Sequence, residues 1–263
     1  MPAEFADVWS SQTRESVTDR SLENVEHQKY IGEMSTVEEQ TEAYRASHDR
    51  IDTLVRSLNN EQLATVVTCC PLWTVKDLIG HLTGVLEDRR DGNMPAGPFA
   101  EWTAAQVARH RDEPIESILE SWREASAQSI DAPPSMASLS FDAVTHEFDL
   151  YQALGIAGDR STDSVRIGAE RSLGRMSSML KDGSAPGVRV TTEDGTNLAE
   201  GATSPLALET SRYSFMRMTT GRMSRAQAEA LGWGSDPAPV LDSLYSDGFF
   251  VLQPVDVNEV DGF

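Results

Sequence analysis

Two helical stretches carry residues whose types and spacing fit metal chemistry. The first is CCPLWTVKDLIGHLTGVLEDRR, from Cys69 to Arg90. Thr74 is a good helix N-cap, and Asp77 three residues later makes a near capping box. Val75, Leu78, Ile79, Leu82, Val85 and Leu86 then recur at helical spacing. His81 falls three residues after Leu78 and four before Val85, on the apolar side, where an imidazole needs a partner. The second stretch is FDAVTHEFDLYQALG, residues 141–155. Asp142 and His146 stand four apart on one helix face, a face they share with Leu139, Leu150 and Ala153. Brought side by side, the two helices offer two imidazoles and one carboxylate. Three such ligands with one position left for water or substrate are a catalytic type of metal site. Spacing alone leaves a second reading open, a local Asp–His ion pair and a hydrogen-bonded core histidine. His48 lies on an apolar helical stripe and is either core or a support for a ligand. His27 and His110 sit among polar residues and are expected to be solvated.

The helices that position these residues follow from periodicity. A helical stripe of Tyr44, His48, Ile51, Leu54, Val55 and Leu58 predicts a helix over Thr36–Leu58. The His81 helix spans 75–89, a Gly/Pro-rich loop (DGNMPAGPF) follows, and further helices cover 99–111 and a segment beginning at Pro114. DAPPS breaks the chain before a helix over 137–154 that stops at Gly155. Long helices with short breaks predict an antiparallel bundle. After a helix in STDSVRIGAERSLGRMSSML the pattern changes. GVRVTTEDGTNLAEG reads as strand, Asp-Gly turn, strand, and PLALETS as a strand leading into a helix over Arg212–Thr219. Ser224 and Gln227 make a capping box, and GFFVLQP reads as a last strand. The expected division is a flexible acidic leader over 1–33, with Met34 a candidate start, a helical bundle over 34–156, a small α+β domain over 160–253 and a frayed tail over 254–263.

Composition narrows the function classes. The 263 residues carry a formal charge of −20, which disfavours nucleic acid and anionic membranes as partners. Lys29, Lys76 and Lys181 are the only lysines, so 19 of the 22 basic residues are arginine, as in a GC-rich or salt-adapted genome. The two cysteines, Cys69 and Cys70, are adjacent, which implies no disulfide framework and excludes a cysteine-rich zinc site. With neither a signal peptide nor an apolar run of membrane-spanning length, the expected location is the cytoplasm.

CPLWTVKDLIGHL resembles the second-helix signature of the DinB-like metalloproteins, in particular the mycothiol-dependent maleylpyruvate isomerase family. DAVTHEFDLYQALG resembles that family's second signature, and FMRMTTGRMSRAQAEALGWGSDP the Gly-Arg segment of its small C-terminal domain, which is likened to sterol-carrier proteins. The resemblance spans residues 36–250. It implies a mainly α fold, a DinB-like antiparallel helical bundle followed by a small α+β, sterol-carrier-like C-terminal domain. It carries over His81, Asp142 and His146 as metal ligands, with zinc the usual metal and Asp142 one methylene shorter than the family's glutamate. Asp149 matches an aspartate that orients a ligand, or is a plain polar helix position. Cys70 matches a position better read as packing than as a nucleophile. Arg222 matches an arginine that holds a substrate carboxylate, the alternative being an arginine bonded to helix-end carbonyls. The activity implied is that of an enzyme using mycothiol as thiol co-substrate. A metal-activated thiolate adds to an electrophilic small molecule, either maleylpyruvate-like or xenobiotic, and the outcome is cis–trans isomerisation or S-transfer. The competing expectation is a non-catalytic ligand-binding protein with a degraded or structural metal site. The oligomeric expectation is monomer or homodimer.

Overall fold

The computed structural model describes residues 35–93, 98–130, 136–181 and 183–260. The expected leader and His27 lie outside these residues. The described chain forms two compact units that divide after Gly158.

In the first unit the helices are α1 (Val37–Arg56), the short α2 (Asn60–Leu63), α3 (Val75–Asp91), α4 (Phe99–His110), α5 (Ile115–Ile130) and α6 (Met136–Leu154). The apolar stripes read from the sequence become one core: Tyr44, Ile51, Leu78, Ile79, Leu86, Ile118, Trp122 and Leu150 are each at most 2% exposed. Helix α1 packs on α6, and α3 packs on both α4 and α5, so the His81 helix lies near the middle of the bundle. Thr74 caps α3 as expected. Its Oγ1 accepts from the Asp77 backbone N–H at 3.2 Å, and Asp77 accepts from the Thr74 backbone N–H at 2.9 Å. This cap fixes the first turn of α3 and hence the rotation that sends His81 inward.

The second unit contains α7 (Asp163–Lys181), β1 (Pro186–Thr192), β2 (Gly195–Ala199), β3 (Thr203–Glu209), α8 (Arg212–Thr219), α9 (Arg225–Glu229), β4 (Gly232–Trp233) and α10 (Ala238–Leu244). The sheet order is β2-β1-β3-β4. The β1–β2 hairpin is antiparallel, with Val188 opposite Ala199, while β3 runs parallel to β1 and antiparallel to β4. Val188, Val190 and Leu208 turn to one face, where they meet Met176, Leu180, Phe215 and Met218 from the helices. The mainly α architecture with a small α+β C-terminal part is therefore as expected. Among the described residues no helix is long and apolar enough to cross a membrane.

Two expectations are corrected. GFFVLQP forms no strand; its ladder contact is a single parallel bridge between Gln253 and Ser224. Gly248 adopts φ 69° and bends the chain, and Phe249 and Phe250 turn to face the Arg175 guanidinium instead of a neighbouring strand. The described part of the tail, residues 254–260, is tied down where fraying was expected. The Val257 backbone exchanges hydrogen bonds with the Gln227 side chain, both at 2.9 Å. Glu259 accepts from Nε of the fully buried Arg217 at 2.8 Å and from the Tyr213 hydroxyl. A buried guanidinium needs a carboxylate, and the tail brings one.

Candidate metal centre

His81, Asp142 and His146 come together. One ligand atom from each lies within 4.8 Å of the others. The Asp142 carboxylate sits between the rings, with Oδ2 3.8 Å from His81 Nε2 and Oδ1 3.5 Å from His146 Nε2. Ligands of a tetrahedral zinc, each about 2.0–2.2 Å from the ion, stand about 3.3–3.6 Å apart. The shorter aspartate thus reaches the region where both Nε2 atoms converge. The two imidazoles meet edge to face, with centroids 5.2 Å apart. Both are buried, whereas the Asp142 side chain is 26% exposed, so the carboxylate marks the accessible side.

Hydrogen bonds behind each ring decide which nitrogen faces inward. Gln106 Nε2 donates to Asp88 Oδ2 at 2.8 Å, which turns its Oε1 toward His81 Nδ1, also at 2.8 Å. His81 Nδ1 is therefore the protonated nitrogen, and Nε2 carries its lone pair toward Asp142. The same logic holds at His146, whose Nδ1 donates to Asp149 Oδ2 at 3.0 Å. Asp149 is fully buried, so it is bonded to the histidine as an orienting carboxylate. Burial holds the His146 imidazole below the usual histidine range, against the upward pull of Asp149 and Asp142. A neutral imidazole is the ligand form. The donor set therefore fits a divalent cation: two Nε2 lone pairs and a carboxylate converge, with a partner fixing the far side of each ring.

Gln106 and Asp88 were not singled out from the sequence. Asp88 stands seven residues after His81 on the same face of α3. Gln106 belongs to a buried stripe of α4 with Thr103, Val107 and His110. Polar residues at core spacing were the available signal. Arg109 extends the chain of contacts, donating to Asp88 Oδ1 at 2.6 Å and to Glu87 Oε2 at 2.7 Å. Glu147, next to His146, was missed as well. It is 2% exposed and takes Arg50 in a fork at 2.6 and 2.9 Å, tying α6 to α1.

The remaining candidates fall as follows. His110 is buried, not solvated. Its ring lies between Glu87 at 3.1 Å and Glu113 at 3.3 Å, because the last turn of α4 packs closely over Gly80. His48 packs at a tilt against Trp122 with centroids 4.2 Å apart and sits beside Asp49; it is a core residue of the α1–α5 contact. Trp73, from the signature loop, covers His81 at 4.7 Å and His146 at 6.2 Å between centroids. Cys69 and Cys70 form no disulfide. Cys70 packs against the core and comes within 4.8 Å of donor atoms of His146 and Asp149. Arg222 belongs to the second unit, just past α8, and donates from Nη1 to the Thr220 carbonyl at 2.7 Å, as an arginine following a helix end does.

Comparison with known proteins agrees with this architecture. Residues 44–138 match the family described as mycothiol maleylpyruvate isomerase N-terminal domain. The chain is similar in fold to crystal structures of the mycothiol-dependent maleylpyruvate isomerase. With a histidine-to-alanine mutant of that protein the TM-score is 0.55 at 13% identity, covering 78% of this chain and 96% of the other. A second crystal structure of the isomerase gives 0.54 at 14% identity with the same coverage. Among curated proteins no match was found.

Proposed function

We propose that the protein is a metal-dependent, mycothiol-using isomerase or S-transferase, a reading supported by the match of residues 44–138 to the mycothiol maleylpyruvate isomerase N-terminal domain family. The observation that carries this reading is the convergence of His81 Nε2, His146 Nε2 and the Asp142 carboxylate at 3.5 and 3.8 Å. The reaction class is addition of a thiolate to an electrophilic small molecule. Elimination after bond rotation gives the isomerase outcome, and retention of the adduct gives the transferase outcome.

A divalent metal, zinc in the first instance, supplies Lewis acidity that brings a thiol below its ordinary pKa of about 8.5. The protein's own residues do the rest. His81, His146 and Asp142 would hold the ion. Gln106 and Asp149 hold the two rings in the tautomer that binds. Trp73 walls one side of both rings with an apolar surface, which keeps water from that face and strengthens the electrostatics of the site. Asp142, the exposed member, leaves the side from which a thiol and an electrophile approach. The reactants are small molecules, the location cytoplasmic, and the assembly a monomer or homodimer.

Metal analysis of the purified protein tests the reading. About one divalent ion per chain is expected, and His81→Ala and His146→Ala should each reduce this to a trace while the helical circular dichroism persists. A folded wild-type protein that takes up no zinc, even when zinc is supplied, would overturn it. Thiol consumption against a panel of electrophiles, before and after chelation, then distinguishes isomerase from transferase.

A further inference from the structure

The seam between α3 and α4 carries more ionisable groups than holding His81 requires. Behind Gln106 and Asp88, Arg109 spans two carboxylates, with Nη2 2.6 Å from Asp88 Oδ1 and Nη1 2.7 Å from Glu87 Oε2. His110 Nε2 meets the same Glu87 oxygen at 3.1 Å, and His110 Nδ1 meets Glu113 Oε2 at 3.3 Å. An unbroken run of side-chain contacts therefore leads from His81 Nδ1 through Gln106, Asp88, Arg109 and Glu87 to His110. Asp88, Gln106 and His110 are buried along it, and Glu113 at the far end is half-exposed. The last turn of α4 also lies directly on the ligand helix, since a Cβ on Gly80 would stand 3.2 Å from the His110 Cβ.

The far end of this run has two states that differ by one proton. A neutral imidazole owns one N–H, so it donates to Glu87 or to Glu113 and turns a lone pair toward the other. Only the imidazolium donates to both. The proton is felt along the run because Arg109 and His110 share one oxygen. An imidazolium claims Glu87 Oε2, and Arg109 then leans on Asp88. An Asp88 carboxylate more fully engaged by Arg109 is a weaker acceptor for Gln106, whose carbonyl holds His81 Nδ1. Charge acts in the same direction. With His110 neutral, Glu87 and Asp88 against Arg109 leave one net negative charge on the seam. With His110 charged they leave none, which offers less to a divalent cation at His81.

We propose that His110 is a positioning residue for the metal centre. Its proton loosens His81 through Glu87, Arg109, Asp88 and Gln106, and a bound cation in turn disfavours that proton. This rests on the metal reading above and adds to it a residue that touches neither ligand nor reactant. Among the described residues the charged groups that meet the His110 ring are Glu87 from α3 and Glu113 from the turn after α4. Arg109 and Asp88 stand one and two contacts further along.

Zinc affinity of the full-length protein, measured by chelator competition across the neutral range, tests it. Protonation of His81 and His146 weakens zinc in acid by itself, so the readout is the difference between wild type and His110→Gln. From about pH 8 to about pH 6 the wild-type affinity should fall roughly fivefold or more beyond the fall in the variant. Glu113→Gln withdraws an acceptor from the imidazolium at a half-exposed position, and should move the extra fall to lower pH. Linkage makes the effect reciprocal. The His110 ring signals in NMR, identified by their absence from His110→Gln, should titrate about 0.7 pH unit or more lower in zinc-loaded than in zinc-free protein. If His110→Gln fails to fold, Glu113→Gln and the reciprocal titration of wild type carry the test, with the signals identified by their response to Glu113→Gln. The same pH dependence of zinc affinity in wild type and the folded variants, or His110 signals that titrate alike with and without zinc, overturns the proposal and leaves the metal centre standing. Absence of zinc binding at every pH overturns both.

Discussion

His146 and His81 are each set by one partner behind the ring, and the two partners make different predictions. Burial lowers the folded His146 pKa below the value of about 6.5 that holds in an unfolded chain. Above that pH both states are neutral and the stability is fully present. As the pH falls below it, the unfolded chain takes up a proton that the folded site refuses. Stability is therefore lost until the folded pKa is passed. The urea midpoint of chelator-treated protein should fall between about pH 7.5 and about pH 5.5, and fall less in His146→Gln; identical slopes would remove His146 as the cause. At His81 the partner is neutral. Gln106→Leu leaves a buried Nδ1–H without its acceptor, which costs about 1–3 kcal/mol. It also frees the tautomer, so zinc affinity in a chelator competition should drop about 10–100-fold. Unaltered affinity would show that the Gln106 bond at 2.8 Å does not tune the ligand.

Between elements, the decisive contact is the approach of α4 to α3. A Cβ built on Gly84 would lie 2.5 Å from the Gln106 Cβ and 3.1 Å from its Cα. Glycine at this position lets the helices come close enough for Gln106 to span His81 and Asp88. Gly84→Ala must push α4 away, at a cost of about 1–3 kcal/mol in denaturant unfolding. It should weaken zinc binding along with Gln106→Leu although it touches no ligand. Loss of stability with full zinc affinity would separate the packing from the centre. On the other side of the bundle, the Glu147–Arg50 fork between α6 and α1 holds the rotation of α6, and so the direction of both Asp142 and His146.

At the scale of the whole molecule, each unit has its own core, and the described tail up to residue 260 is tied into the second. Glu259 meets the fully buried Arg217, so Glu259→Gln should cost about 1–3 kcal/mol, read as a lower melting temperature. An unchanged melt would return the tail to the frayed state expected from its acidic sequence. That sequence could not show Arg217 waiting, since a pairing across 42 residues leaves no local pattern. The helices themselves were legible, because burial imposes a 3.6-residue rhythm on Leu78, Ile79, Leu82 and Leu86 and because Thr74 and Asp77 write the cap in four residues. That His81 and His146 face inward was legible for the same reason: polar residues at core positions break an otherwise apolar stripe. The short strand Gly232–Trp233 and the burial of His110 were not legible. Nor was the support of His81 by Gln106 and Asp88. These depend on how closely two helices or strands approach, and on missing side chains such as those of Gly80 and Gly84. Chain chemistry fixed which groups face inward; only tertiary packing fixed which of them meet, because distances between elements are set by side-chain volume at the contact and not by spacing along the chain.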